Sequence, residues 1–205
     1  MARPRRQLKD PNLAVGVVEQ GFRVGPICIV PVFRMNPITV DPVFYIAFNE
    51  DHIEDTVGPE ETDEQSLFVA QARNFGCKVA AVPNGGYRDT STAVKMKREG
   101  MSTGFPDLIV ARGIPAALAK DWEAAKANKI KKPNSWDEKF RRNWSGKPVA
   151  IEFKRRHGQL NDISEAQLEW LEELTDSGWD VCVAYGSAAG FGWLNHLGFY
   201  TPPIR

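Results

Sequence analysis

Two apolar segments of the sequence carry side chains suited to hydrolysing a phosphodiester with a divalent cation. Asp107 precedes the segment Leu108 to Ala111, and Glu152 and Lys154 lie in the later segment VAIEFK. Magnesium takes hard oxygen ligands and turns a bound water into a nucleophile, while positive charge stabilises the crowded transition state. If the two segments form adjacent strands, both carboxylates can reach one ion. Lys154, two residues after Glu152, then emerges on the same face as Glu152.

A purely structural role for the same residues stays open. Asp107 could cap a turn after Pro106, and Glu152 with Lys154 could form an ordinary ion pair on a solvated strand face. A single Glu-x-Lys on a strand is weak evidence for a site. The conjunction is stronger, because Pro-Asp precedes one apolar strand, Glu-x-Lys follows on another, and a helix bearing a carboxylate comes before both.

The elements that must position these residues alternate between helix and strand. A capping-box pattern predicts a helix from Thr62, over about 63–75, that ends at Gly76, and a second box at Ser164 opens a helix that closes at Gly178. Strands are expected in CKVAAVP, from Leu108 to Ala111, in VAIEFK and in VCVAYG, followed by a short closing helix. This order predicts an α/β fold with a mixed central sheet flanked by helices.

Two segments fall outside this pattern. Residues 1–60 combine a basic arm with a proline-interrupted stretch, and we expect an irregular β-rich extension whose strands are short or at edges. Residues 61–205 form the predicted catalytic domain, with a helical insert at about 114–147. From 113 to 148 there are nine Lys or Arg against four Asp or Glu, so positive charge is concentrated there. Trp122, in this insert, could stack on bases or anchor the insert to the domain.

Composition excludes several classes of protein. No apolar run approaches the roughly 18 residues that a membrane helix needs, and no signal peptide follows the basic N-terminus, so no membrane partner is expected. We expect an intracellular place, in the cytoplasm of a bacterium or of a phage-infected host. Cys28, Cys77 and Cys182 lack CxxC spacing, which predicts buried free thiols instead of a disulfide framework or a zinc site.

Several motifs in their order and spacing resemble the virus-type replication-repair nuclease domain, VRR-NUC, of the PD-(D/E)xK superfamily, with a restriction-endonuclease-like core. The quoted pieces are Glu64-x-x-x-Phe68, VPNGGYR at 82–88, KMKREGMSTGFPDLIV at 95–110, IEFKRRHGQLNDISEAQLEWLEEL at 151–174 and GWDVCVAYG at 178–186. The likeness runs from about residue 62 to residue 197, outside the insert.

This resemblance implies a ligand set and a cofactor. The implied metal ligands are Asp107, Glu152, the backbone carbonyl of Phe153 and, directly or through water, Glu64. Lys154 would be the catalytic lysine, and Gln167 matches the glutamine that follows the Glu-x-Lys motif. The cofactor would be Mg²⁺, for which Mn²⁺ substitutes. Without the resemblance, Glu64 is a first-turn carboxylate favoured by the helix dipole and Gln167 is only a capping-box residue.

DNA is the expected partner, because cations at many positions can bind phosphates without reading sequence. The expected DNA-binding residues are Asn84, Arg88, Lys95, Lys97, Arg155, Arg156, Lys129, Lys131 and Lys132. For the insert, a solvated basic face is an equal alternative. The leading hypothesis is a structure-selective endonuclease of replication, recombination or repair, similar to a Holliday-junction resolvase and acting as a homodimer on branched DNA. The alternatives are a flap or restriction-like nuclease, and an inactive DNA-binding protein on the same fold.

Overall fold

The computed structural model of the 205-residue chain describes residues 13–15, 21–34, 42–52, 58–82, 90–127, 146–156 and 162–204. Its strands are β1 (Leu13–Val15), β2 (Phe22–Val24), β3 (Ile27–Arg34), β4 (Phe44–Asn49), β5 (Lys78–Ala81), β6 (Leu108–Arg112), β7 (Val149–Lys154) and β8 (Asp180–Tyr185). Its helices are α1 (Glu61–Asn74), α2 (Thr90–Arg98), α3 (Ala119–Ala127), α4 (Glu165–Asp176) and α5 (Ser187–His196).

All eight of these strands belong to one mixed sheet with the order β1-β3-β4-β8-β7-β6-β5, and β2 also pairs with β3. The pairs β4–β8 and β7–β8 are parallel, whereas β3–β4, β5–β6 and β6–β7 are antiparallel. The predicted α/β fold with a mixed sheet flanked by helices is confirmed. The adjacency of β6 and β7, on which the proposed site depends, is also confirmed.

Alternation along β7 separates the two faces of the sheet. Val149, Ile151 and Phe153 belong to the core cluster that includes residues of α1 and α5, whereas Ala150 packs with leucines of α4. Glu152 and Lys154 share the parity of Ala150 and therefore emerge on the α4 side. Every residue of β7 is buried, so its two charged side chains lie inside the fold and not on a solvated face.

Of the two capping boxes predicted from the sequence, one is present and the other is absent. The capping box at Ser164 is present, with Gln167 as its second member. The box predicted at Thr62 is wrong: Glu60 is extended, α1 begins at Glu61, and Thr62 already lies in the first helical turn. The helix α2 was not predicted, because its threonines, serine and valine are weak helix formers.

The proline-interrupted segment forms more sheet than expected. The strand β3 contains Pro31, yet it lies between β4 on one side and β1 and β2 on the other. Residues 27–29 of β3 are registered with β2, and residues 32–34 with β1. Pro31 thus lies between the segment of β3 that pairs with β2 and the segment that pairs with β1, where the absence of a backbone N–H costs least. Because β4 pairs with β8, strands from both sides of residue 60 share one sheet.

The described part of the insert is anchored to the domain. Trp122 of α3 is buried and packs with Ile114, against Leu118 and Tyr200, so it anchors the insert, the second of the two roles expected for it. The three cysteines are buried free thiols, as predicted. Within the described ranges, no helix combines the length and hydropathy that crossing a bilayer requires.

Candidate active site

The register of β6 and β7 brings the two predicted metal-binding carboxylates face to face. Leu108 pairs with Ile151, so Asp107, one residue before Leu108, lies across from Glu152. The backbone N–H of Phe153 donates to Asp107 Oδ2 at 2.9 Å, which fixes the Asp107 side chain against β7. The cluster therefore sits at the carboxyl end of β7, where β6 begins.

Glu152 is the centre of this cluster. Its Oε1 accepts hydrogen bonds from Lys154 Nζ, at 2.9 Å, and from Gln167 Nε2. Its Oε2 is buried and has no hydrogen-bond donor among the described residues. The side chain is only 2% exposed. One oxygen of a buried carboxylate is thus held by a cation and an amide, while the other needs a proton or a bound cation to compensate its burial.

Burial and like charge act together on these groups. Burial, followed by repulsion from Asp107, raises the pKa of Glu152 to about 8, although Lys154 opposes the rise. Burial also raises the pKa of Asp107, although its hydrogen bond from Phe153 and the charge of Lys154 oppose that rise. Burial alone would lower the pKa of Lys154, but Glu152, Glu61 and Asp107 together raise it. Without a bound cation, the facing carboxylates Asp107 and Glu152 therefore hold a proton near neutral pH.

Gln167 reaches the site from the first turn of α4. Its Oε1 accepts the backbone N–H of Ser164 at 2.9 Å, and the Ser164 hydroxyl lies within hydrogen-bond distance of both its backbone N–H and its Oε1. The same side chain donates from Nε2 to Glu152. The two roles considered for Gln167 are thus combined: it is a capping-box residue, and it also contacts the carboxylate of the site.

The first helix brings the charge of a second carboxylate, Glu61, to the cluster, and the role expected for Glu64 stays a prediction. Glu64 is buried, and its Oε2 accepts the backbone N–H of Ser187 at 2.9 Å, at the start of α5. Glu61 instead raises the pKa of both Glu152 and Lys154 by its charge. Burial raises the pKa of Glu61 itself, with Lys154 and Arg155 opposing the rise. Glu61 lies seven residues, or about two helical turns, before Phe68. The helical period could therefore have identified Glu61 as a residue on the same face as Phe68.

The predicted DNA-binding residues fall into three groups. Lys95 and Lys97 are exposed on α2. Arg155 is about half exposed and is paired with Glu60, while Arg156 is partly buried, with its Nε lacking a partner among the described residues. The remaining five, Asn84, Arg88, Lys129, Lys131 and Lys132, lie outside the described residues.

A magnesium ion fits this donor set. Within the described ranges, no three His, Cys, Asp or Glu side chains are arranged to hold a metal. Magnesium, however, is commonly bound by one or two carboxylates together with waters and substrate phosphates. Asp107 and Glu152 supply two carboxylates, one with an unpartnered buried oxygen. The residues present therefore suit a hard divalent cation and not a soft metal that needs thiolates or imidazoles.

The backbone of β7 adds a further oxygen. The carbonyls of Pro148 and Lys154 accept hydrogen bonds from Asp180 and Gly186, on the β8 side. Because alternate residues of a strand address opposite neighbours, the carbonyl of Phe153 addresses the β6 side, where Asp107 lies. The inclusion of Phe153 in the ligand set stays a prediction.

The chain is thus an α/β protein with an Asp-Glu-Lys cluster at the carboxyl end of a central strand, in which Glu152 and Lys154 are buried and Asp107 is partly buried. No protein-family model and no curated protein matches the sequence. Among solved structures, one described as a VRR_NUC domain protein is similar to this chain, with 19% identity and a TM-score of 0.45. The match covers 73% of this chain and 98% of that chain. A likeness of this size says nothing about activity or substrate.

Proposed function

We propose that the chain is a magnesium-dependent DNA endonuclease whose site is built from Asp107, Glu152 and Lys154. The observation that carries the proposal is the buried Oε2 of Glu152, which faces Asp107 and has no donor among the described residues. Burying two carboxylates side by side is costly unless a cation or a proton neutralises them. A purely structural pair would gain more from amides or apolar groups at the same positions.

The charge of the cluster matches a divalent cation. Asp107, Glu152 and Glu61 bring three negative charges, and Lys154, only 7% exposed, brings one buried positive charge. The net charge of these four groups is therefore −2, which one magnesium ion would neutralise. Arg155 also acts on Glu61, but it is half exposed and paired with Glu60, so its contribution to the buried deficit is screened by solvent.

Each residue of the cluster then has a definite task. Asp107, Glu152 and the carbonyl of Phe153 would hold the ion, and the negative charge of Glu61 acts on Glu152 and Lys154. Bound magnesium supplies a nucleophilic water near neutral pH and neutralises charge on the phosphate. Lys154 presents its ammonium beside Glu152 and stabilises negative charge that develops on the phosphate oxygens. Gln167 holds Glu152 in the orientation that exposes Oε2 to the ion.

We propose DNA as the substrate because exposed cations on α2 and after β7 can bind its backbone. Branched DNA is our preferred substrate class, by the sequence resemblance to VRR-NUC domains, whose compact members are similar to junction resolvases. Cutting a junction symmetrically requires a twofold homodimer. These finer features, together with a place in replication, recombination or repair, are part of the proposal.

Cleavage of labelled DNA tests the proposed activity. Labelled junction, flap, splayed and linear duplex DNAs, and an RNA of the same sequence, are incubated with wild type and with Glu152→Gln, without metal, with Mg²⁺ and with Mn²⁺. Glu169→Gln, an exposed carboxylate of α4, is the matched control. We expect metal-dependent cuts by wild type and control, and a loss of about 100-fold or more in Glu152→Gln.

The substrates separate the alternatives. Preference for the flap or the linear duplex would support a flap or restriction-like nuclease. DNA binding without cleavage in any metal would support the inactive DNA-binding protein. Equal cleavage by Glu152→Gln and wild type would remove the assigned site, whatever the substrate.

A further inference from the structure

The helix α2 (Thr90–Arg98) lies outside the hydrophobic core. Of its side chains that the structure describes, only Met96 is partly buried, and all the others are exposed. Val94 is 53% exposed, one of the largest apolar exposures in the described structure. None of its described side chains belongs to the core clusters. The helix therefore presents most of its circumference to solvent.

The cations of α2 share one face. At about 100° per residue, Lys97, Val94, Arg98, Ser91 and Lys95 follow one another round an arc of about 160°. The centre of this arc lies opposite Met96, the residue that faces the protein. All three cations of the helix thus point outward, on both sides of the exposed Val94.

Among the described residues, the positive charge on this face is balanced only in part. Lys95 is 3.9 Å from Glu99, and both side chains are largely exposed. Lys97 and Arg98 have no carboxylate partner among the described residues. Such a face is complementary to a row of phosphates, because each cation that contacts a phosphate releases condensed counterions.

A short helix of this composition has little intrinsic stability. Nine residues that include two threonines, a serine and a valine are below the length at which isolated helices persist in water. With one partly buried side chain among those that the structure describes, α2 also gains little from the packing of these side chains. A phosphate backbone laid along its cationic face would supply the missing stabilisation.

The chain ties α2 closely to the site. Arg98 lies nine positions before Asp107, so the two are at most about 30 Å apart, which is about one helical turn of DNA. The linking loop is fixed before it reaches Asp107, since Phe105 packs on Trp170 and Pro106 is buried. A phosphate bound on α2 therefore lies within about one helical turn of DNA from the cluster.

From this placement we infer that α2 is a DNA-docking helix, whose outward face binds backbone phosphates within about one helical turn of the scissile bond. The inference rests on the proposed function and adds the element that holds the substrate. It assigns to Arg98 a role equal to that of Lys97. It also makes Val94 the residue that lies against the sugars between two cationic contacts.

Salt dependence of binding tests this inference. Lys97→Gln/Arg98→Gln removes two charges from α2. Arg73→Gln/Lys78→Gln, the matched control, removes two exposed charges near the C-terminal end of α1 and the start of β5. Affinity for a labelled linear duplex is measured at several salt concentrations, with Ca²⁺ in place of Mg²⁺. We expect the α2 variant to lose about 10-fold in affinity and about two units of log–log salt slope, and the control to keep both.

Amide exchange of α2 with and without duplex supplies a second readout, and we expect the duplex to slow exchange throughout the helix. A wild-type slope in Lys97→Gln/Arg98→Gln, or equal losses in the control pair, would overturn the inference while leaving wild-type cleavage intact. Wild type that neither binds DNA at low salt nor cuts it with Mg²⁺ would instead remove the proposed function. The two failures are therefore distinguishable.

Discussion

Gln167 connects the first turn of α4 directly to Glu152 on β7. Its amide oxygen accepts the backbone N–H of Ser164, and its amide nitrogen donates to Glu152 Oε1. Because both ends of one side chain are engaged, the capping box also sets the position of a group in the site. A motif that begins a helix thus orients a carboxylate on the neighbouring strand.

Gln167→Glu separates these two tasks. The new carboxylate still accepts the Ser164 N–H, but it presents an oxygen to Glu152 where an N–H donated before. We expect α4 to remain capped, the metal-free protein to lose stability near neutral pH because a further carboxylate faces Glu152, and metal-dependent cleavage to fall about 10-fold or more, as for the loss of an orienting hydrogen bond. Single-turnover cleavage at saturating Mg²⁺ measures the effect.

Ser164→Ala is the converse variant. It removes the hydroxyl that accepts the Gln167 backbone N–H but leaves Gln167 able to donate to Glu152. We expect a loss of about 1 kcal/mol in the free energy of unfolding, with cleavage close to wild type. Equal cleavage defects in both variants would show that Gln167 acts only through the cap.

Glu152→Gln is expected to stabilise the metal-free protein. The folded pKa of Glu152 is about 8, above its ordinary value of 4.5, so the native state binds more protons between these values than the unfolded state does. Wild-type stability contributed by this group is therefore present at low pH and is lost as pH rises towards about 8. The amide that replaces the carboxylate in this variant carries no charge, so the variant lacks this loss.

The measurement is chemical denaturation in chelator, from pH 5 to pH 9. At pH 8 we expect Glu152→Gln to exceed wild type by about 1–2 kcal/mol, or about 2–8 °C in thermal midpoint. At pH 5 the two should approach each other. Addition of Mg²⁺ should stabilise wild type but not the variant. A variant less stable than wild type at pH 8 would contradict the assigned like-charge repulsion.

Local patterns predicted the elements of the site well. The alternation of VAIEFK, bounded by Pro148 and Arg155, gave the bounds of β7, and the box at Ser164 gave the start of α4. The bounds of β7 and the start of α4 could be predicted because each depended on periodicity or capping within a few residues. Placing Asp107 opposite Glu152 required more, namely that β6 and β7 be adjacent and in the register that pairs Leu108 with Ile151.

Nonlocal arrangements were not predictable in the same way. The helix period places Glu61 and Glu64 almost equally well beside Phe68, and only packing against α5 assigns Glu64 to the Ser187 N–H. The parallel pairing of β4 with β8 joins residues more than 130 positions apart, which no local pattern encodes. Pro31 suggested that its strand would lie at an edge of the sheet. Its actual place, between the segments of β3 that pair with β2 and with β1, depends on the register of those strands.

Lys154→Met should separate chemistry from metal binding. The ammonium is not a ligand, so its loss removes stabilisation of the developing phosphate charge and leaves the oxygen donors in place. We expect turnover to fall about 100-fold or more, while the Mg²⁺ concentration at half-maximal stabilisation changes less than about 10-fold. Calorimetric titration of metal and single-turnover cleavage measure the two quantities. Normal turnover at saturating Mg²⁺ would remove Lys154 from the chemistry.

Gly104 and Gly100 form a matched pair that tests how the loop before Asp107 is placed. Both have positive φ, 86° and 96°, so alanine is strained at either position. A Cβ on Gly104 would overlap with the backbone of Ala166 and lie 2.8 Å from Gln167 N, whereas a Cβ on Gly100 meets nothing within 4 Å. The difference between the two variants therefore isolates the contact of the loop with α4.

We expect Gly100→Ala to cost about 1 kcal/mol of stability, from backbone strain alone, with cleavage unchanged. Gly104→Ala should cost about 2–4 kcal/mol, because the loop and the first turn of α4 must separate. That separation moves Gln167 away from Glu152 and Asp107 away from β7, so cleavage should fall in the folded variant as well. Thermal denaturation and single-turnover cleavage at a temperature where both variants are folded give the two readouts. If Gly104→Ala and Gly100→Ala lost the same stability and the same activity, close packing of this loop on α4 would not be what positions the site.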